Sequence, residues 1–174
     1  MQIYVFFGGV EVFYFAGQDQ WSCTRVQGLL NPPQKRAKRA KRVKRVWTVG
    51  KSMVLRAIYA AETYAGALLE VLVHADLSQP PKQHRAVRID VPDTLKVEPV
   101  LIDTVPGWDN EDMRASRAFG DRWLRESRSP ILRGPSFITR GRENNIVCNP
   151  AHPDFGLIRA SDPEVVLWDA RLFR

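Results

Sequence analysis

The chain has 174 residues, of which 44% are hydrophobic, enough to bury one substantial core in a single domain. Its formal net charge of +7 suggests a nucleic-acid partner, yet the charge is local: Lys35, Arg36, Lys38, Arg39, Lys41, Arg42, Lys44 and Arg45 supply eight positive charges with no acid among them, and removing them leaves the remainder at −1. Two cysteines, Cys23 and Cys148, are too few for a disulfide framework and fit a reducing cytoplasm.

The apolar stretch from Ile3 to Gly17 is broken by Gly8-Gly9 and Glu11, lacks a basic leader and is too short to span a bilayer. Its two halves predict a hairpin, and no exported or membrane form is expected. Asn31-Pro32-Pro33 leads into Lys35 to Arg45, where a three-residue period lets Ala37, Ala40 and Val43 drift around a helix, so a solvated linker is expected. On composition, residues 1–50 read as a divergent N-terminal segment carrying the basic linker 35–45, and residues 51–174 as the ordered domain.

Ala57-Ile58-Tyr59 predicts a short strand, ending where Thr63 can cap a helix that runs through Ala75. In that helix Ala65, Leu68, Leu69, Leu72 and Val73 are expected on the core side, while Gly66, Glu70 and His74 share a face at spacings of four. Val87, Ile89 and Val91 alternate with Arg88 and Asp90 as in a half-buried strand, and Val97 to Ile102 predicts another. Asp109 with Asp112 has the pattern of a capping box that opens a helix through about Ser127 and buries Ala115, Ala118, Phe119, Trp123 and Leu124. Further strands are expected at Ile131 to Thr139, Ile146 to Cys148, Leu157 to Ala160 and Val165 to Trp168. The order is mixed α/β (α+β), without the regular alternation of a doubly wound sheet.

Several chemical signals fail on spacing. Gly50-Lys51-Ser52 looks like the end of a phosphate-binding loop, but its leading glycine would fall at Arg45. His74, His84 and His152 form no i,i+4 pair and have no cysteine at metal spacing, so no metal site is expected. No G-x-S-x-G elbow surrounds Ser136 or any other serine. Taken singly, Glu70 reads as a helix-edge carboxylate, Tyr59 as a packing aromatic and Ser136 as a loop hydroxyl satisfied by backbone. In the late loop Pro150 and Pro153 fix φ, Asn149 can bond its own backbone, Phe155 anchors the exit, and His152 reads as an organiser rather than a proton carrier.

Tyr59-Ala-Ala-Glu-Thr-Tyr-Ala-Gly-Ala-Leu-Leu-Glu70, together with Pro135-Ser136 and Asn145-Ile-Val-Cys-Asn-Pro-Ala-His-Pro-Asp-Phe155, resembles the RES-domain family of bacterial toxins, named for an Arg, a Glu and a Ser in an NAD-binding cleft. Gly120-Asp121 and Trp123 add to the likeness, which covers Arg56 to Leu172. The resemblance implies an ADP-ribosyltransferase-like fold with a cleft between two small sheets. It implies Glu70, Tyr59 and Ser136 as catalytic residues and Asn145 as substrate-binding, with NAD as substrate and no resident cofactor. In that reading Glu70 stabilises the positive charge that builds on ribose as nicotinamide leaves, Tyr59 stacks near the nicotinamide or orients the ribose, and Ser136 positions the substrate. ADP-ribose would pass to water, phosphate or a macromolecule. The cell would be protected by a helix-turn-helix antitoxin that occludes the cleft, and self-association stays open.

Family members also carry a Gly-Arg-Trp-Asn-like segment whose arginine precedes the tyrosine by about ten residues, a count that reaches Val49 here, so Arg45 or Arg56 is the candidate substitute and Lys51 lacks the bidentate fork. Two rival readings follow. One is a degenerate toxin that keeps the fold and the antitoxin interface without turnover. The other, ranked lower because the basic run has no interleaved aromatics, is nucleic-acid binding through residues 35–45.

Overall fold

The computed structural model describes residues 1–8, 12–16, 20–24, 57–75, 78 and 84–173. Arg45, Lys51, Arg56 and the expected linker at 35–45 lie outside the described residues. The strands are β1 (Gln2–Gly8), β2 (Val12–Ala16), β3 (Gln20–Thr24), β4 (Ile58–Ala61), β5 (His84–Asp90), β6 (Val97–Pro99), β7 (Ile131–Pro135), β8 (Asn144–Cys148), β9 (Arg159–Ala160) and β10 (Glu164–Val165). Among the described residues the helices are α1 (Tyr64–His74) and α2 (Arg114–Glu126). The mixed α and β class is therefore the one observed. Among the described residues the strands form two unequal sheets: an eight-stranded sheet in the order β10-β5-β1-β4-β8-β7-β6, with β9 also on β5, and a ribbon of β2 and β3.

The expected hairpin between the halves of the first apolar stretch does not form. β1 instead pairs antiparallel with β5 over its full length, Gln2 opposite Asp90 through Gly8 opposite His84, and with β4 at Tyr4 opposite Ala61. The reason is burial on the centre line: Ile3 and Val5 join Ile58, Ala60, Val87 and Ile89 in one apolar cluster, a partner set that a two-stranded hairpin cannot supply. β2 takes β3 as its partner, Val12 opposite Thr24 to Ala16 opposite Gln20. The compositional boundary near residue 50 is thus not a boundary of the main sheet.

Residues directly opposite across a ladder share a face, and neighbours along a strand alternate. Ile58 is opposite Cys148, which is opposite Ile131, and these pack with Ile146, Phe155 and Ile158 as the dry face. The other face carries Tyr59 opposite Val147, and the row Tyr4, Ala61, Asn145 and Gly134. The site described below stands on this second face.

Helix α1 begins as expected, with the Thr63 hydroxyl accepting from the Gly66 N–H at 2.9 Å, but its buried side is not the one the large apolar residues suggest. Gly66 and Ala67 are buried and Glu70 is half-buried, whereas Leu69 is 41% and Val73 59% exposed, and Ala65 is also exposed. Small side chains allow close approach, so the helix lies down on Gly66 and Ala67 and turns Glu70 inward.

Helix α2 departs from expectation at its start. Turns led by Gly107 (φ 75°) fill residues 105–113, Met113 adopts a left-handed φ of 52°, and Asp112 accepts from the Arg114 N–H at 3.0 Å instead of forming a capping box with Asp109. Of its expected core residues only Trp123 is fully buried; Ala118 is exposed and Ala115, Phe119 and Leu124 are half-buried. Its end at Glu126, capped by left-handed Ser127, is where periodicity places it. The late strands are shorter than expected. β7 stops at Pro135, and a 3-10 turn at Pro153–Leu157 replaces the start of the strand expected from Leu157.

Candidate active site

Three of the residues expected at the site come together on the second face of the sheet. Asn145 projects there from β8, and its side-chain N–H donates to Glu70 Oε1 at 2.7 Å. That bond joins residues 75 positions apart and holds the carboxylate of α1 against the sheet. An ionised carboxylate can accept at several further sites, so one amide bond orients Glu70 and leaves its second oxygen available.

Tyr59 stands on the same face, two residues before Ala61, which is opposite Asn145. The residue is 44% exposed, yet burial around its hydroxyl pushes the phenol's pKa up. Asp121 adds to the rise and Arg117 opposes it. Tyr59 is accordingly a neutral hydroxyl that can donate a hydrogen bond at physiological pH. The charges that it senses are both on α2, four residues apart on one side of the helix, a spacing visible in the sequence although nothing in the sequence aims it at Tyr59.

Ser136 is buried immediately after β7. Its N–H donates to the Glu143 carbonyl at 2.9 Å, extending the β7–β8 ladder by one rung, and its carbonyl accepts from the Gly141 N–H at 2.9 Å. Alternation from Leu132 and Gly134 places residue 136 in register with the Asn145 side of the sheet. Its hydroxyl is a long acceptor, 3.4 Å from the Thr139 N–H, so it also shapes the turn. The carboxylate of Glu143, the neighbour of Ser136 across the ladder, accepts from the Thr63 hydroxyl. Arg56 and Arg45 lie outside the described residues.

The late loop behaves as its residues suggest. Asn149 Oδ1 accepts from the Ala151 N–H at 3.0 Å, Phe155 is buried, and His152 Nδ1 accepts from the Asp154 N–H at 3.1 Å as the cap of the 3-10 turn. The same Nδ1 lies 3.8 Å from Asp154 Oδ2, so the ring is engaged in organising its own turn. Burial pushes the Cys148 thiol up to about 12, which makes it an inert core residue. Among the described residues no three His, Cys, Asp or Glu side chains are grouped to hold a metal, and no helix is long and apolar enough to cross a membrane.

Chemically, the face offers an oriented carboxylate, an amide, a neutral phenol and a mixed pair of charges beside an apolar floor. That set suits stabilising positive charge on a bound ligand more than it suits nucleophilic attack. The RES domain family matches residues 21–169. The chain is 37% identical over 121 residues to a Prs ADP-ribosylating toxin of Sphingobium sp., covering 67% of this chain and 74% of that one. It is 36% identical over 98 residues to Toxin Res of Pseudomonas putida and 33% identical over 101 residues to Toxin Res of Photorhabdus laumondii, spanning 66% and 64% of their lengths.

Proposed function

Because the chain belongs to the RES domain family, we propose that it is a toxin that consumes NAD, breaking the nicotinamide–ribose bond and passing ADP-ribose to water, phosphate or a macromolecule. The observation that carries this reading is the 2.7 Å bond from Asn145 to Glu70 on the face that Tyr59 also occupies. As nicotinamide leaves, the ribose takes on oxocarbenium-like charge, and a half-buried carboxylate already oriented by Asn145 stabilises that charge without having to reorganise. Tyr59, neutral and able to donate, would bond a ribose or amide oxygen. Ser136 would position substrate from the end of β7. NAD is substrate here, and no resident cofactor or metal is needed.

A cation is required for the dinucleotide phosphates. Arg45 and Arg56 are the candidates by position in the sequence, and Arg117 joins them because its charge reaches the Tyr59 hydroxyl. A protein of this activity would work in the cytoplasm and be neutralised by a helix-turn-helix antitoxin that covers the cleft. The degenerate reading, a fold that binds antitoxin without turnover, is favoured by one specific feature, Val49 where the family arginine is expected.

The test is NAD loss in cells and with the purified chain. Glu70→Gln keeps the shape of the side chain and removes its charge, and is expected to lower the rate on the order of 100- to 1,000-fold while the fold survives. A Glu70→Gln protein as active as the parent removes Glu70 from the chemistry. A parent chain that leaves NAD untouched, with alanine variants at Arg45, Arg56 and Arg117 indistinguishable from it, selects the degenerate reading.

A further inference from the structure

Three consecutive residues entering β8 each bond a different residue around the junction of β4 and α1. The Glu143 carboxylate accepts from the Thr63 hydroxyl at 3.2 Å. Asn144 donates its side-chain N–H to Glu62 Oε2 at 2.9 Å, and its carbonyl accepts from the Glu62 N–H at 3.3 Å. Asn145 donates to Glu70. Arg133, on β7, closes the group through an ion pair with Glu62. Successive strand side chains point to opposite faces, so this short segment grips the junction from both sides.

The grip is closest at the start of α1. Thr63 is the N-cap, and a Cβ added to Gly66 would lie 2.8 Å from Glu143 Oε2 and 3.0 Å from the Thr63 hydroxyl. Only a glycine lets the Glu143 carboxylate sit this near the helix. Glu70 lies seven residues beyond Thr63, about two turns along a stiff helix, so a shift at the cap is carried to the carboxylate. These bonds are partly exposed and add little to stability, whereas a displacement of about 1 Å at a reacting group costs on the order of 100-fold in rate.

We propose that Glu143 is a positioning residue for Glu70: through Thr63 it fixes the entry of α1, and with the Asn144–Glu62 pair it sets the register in which Asn145 meets the carboxylate. The role assigned to Glu70 rests on the NAD-consuming reading above. The geometric part does not, and it has its own readout in the side-chain amide signal of Asn145 in nitrogen-edited NMR spectra, identified as the signal lost in Asn145→Asp.

The experiment uses the full chain and the variants Glu143→Ala, Glu143→Gln, Thr63→Ala and Thr63→Ser. Glu143→Ala and Thr63→Ala are expected to move the Asn145 amide signal and to lower kcat for NAD about 10- to 100-fold with KM nearly constant. Glu143→Gln retains an oxygen that accepts from Thr63, and Thr63→Ser retains the hydroxyl, so both should restore most of the rate. Should Glu143→Ala fail to fold, the Thr63 pair probes the same bond from the helix side. An unmoved Asn145 signal with unchanged kcat in the alanine variants overturns the proposal, as does a Gln variant no better than Ala. A parent inactive on NAD whose Asn145 signal still moves in Glu143→Ala overturns the NAD-consuming reading and upholds the positioning geometry.

Discussion

The end of α2 and the start of α1 are both tied to the sheet by polar side chains, and they differ in burial. At α2, Trp123 donates its indole N–H to the Ser129 hydroxyl at 2.9 Å, that hydroxyl donates to the Ile131 carbonyl at 2.9 Å, and the Asn149 amide reaches the Leu124 carbonyl at 3.4 Å. Trp123 and Ser129 are 0% exposed and Asn149 1%. At α1, the bonds among Glu62, Thr63, Arg133, Glu143 and Asn144 are partly open to water. A buried polar group left without a partner costs its full desolvation, so the α2 attachment holds the fold together. An exposed group can turn to water instead, so the α1 attachment contributes placement more than stability.

The largest effect expected from this contrast is at Trp123. Trp123→Ala should lose about 3–5 kcal/mol in urea unfolding, because it removes a large buried ring and leaves a cavity. A loss no larger than that of an exposed side chain would break the comparison. Ser129→Ala comes next: it strands the Trp123 N–H in a dry site and should cost about 1–3 kcal/mol in the same measurement.

Gly66→Ala sharpens the contrast from the other side. The new methyl displaces the Glu143 carboxylate, which can swing away at its flexible end, and presses on the Thr63 hydroxyl that caps the helix, while alanine gains about 1 kcal/mol of helix propensity over glycine. Thermal stability should therefore stay within about 1 kcal/mol of the parent, whereas NAD turnover falls more than tenfold. Equal losses of stability and turnover would show that the α1 attachment is structural after all.

The smallest effect is acid dependence at Glu62. Partial burial opposes ionisation there, but hydrogen bonds from Arg133 and Asn144 and the Arg133 charge outweigh it and hold the carboxyl below the usual glutamate range. A folded-state pKa below the unfolded one gives stability that is complete above the unfolded value and is lost as pH falls through the folded value. The stability difference between parent and Glu62→Gln should be under about 1 kcal/mol at neutral pH and vanish on acidification through that window.

Local chemistry in the sequence determined a good deal of this protein. Thr63 caps α1 because a threonine before a helical run satisfies a free N–H, Val87 and Ile89 alternate with Arg88 because one face of β5 is dry, and His152 and Asn149 organise their loop through bonds to residues two positions away. The resemblance carried by Tyr59, Glu70, Ser136 and Asn145 also identified the family, since a motif is a property of the order of residues. Only the tertiary structure decided that β1 lies between β5 and β4, that α1 rests on Gly66 and Ala67 with Leu69 and Val73 outward, that Arg117 and Asp121 act on Tyr59, and that Asn145 bonds Glu70. Each of these depends on which distant segment fills a given space. Periodicity gives a strand or helix two sides, but the choice between them belongs to the partner that can approach closest, and here a bare glycine and a polar carboxylate took the inner side that larger apolar residues would ordinarily claim.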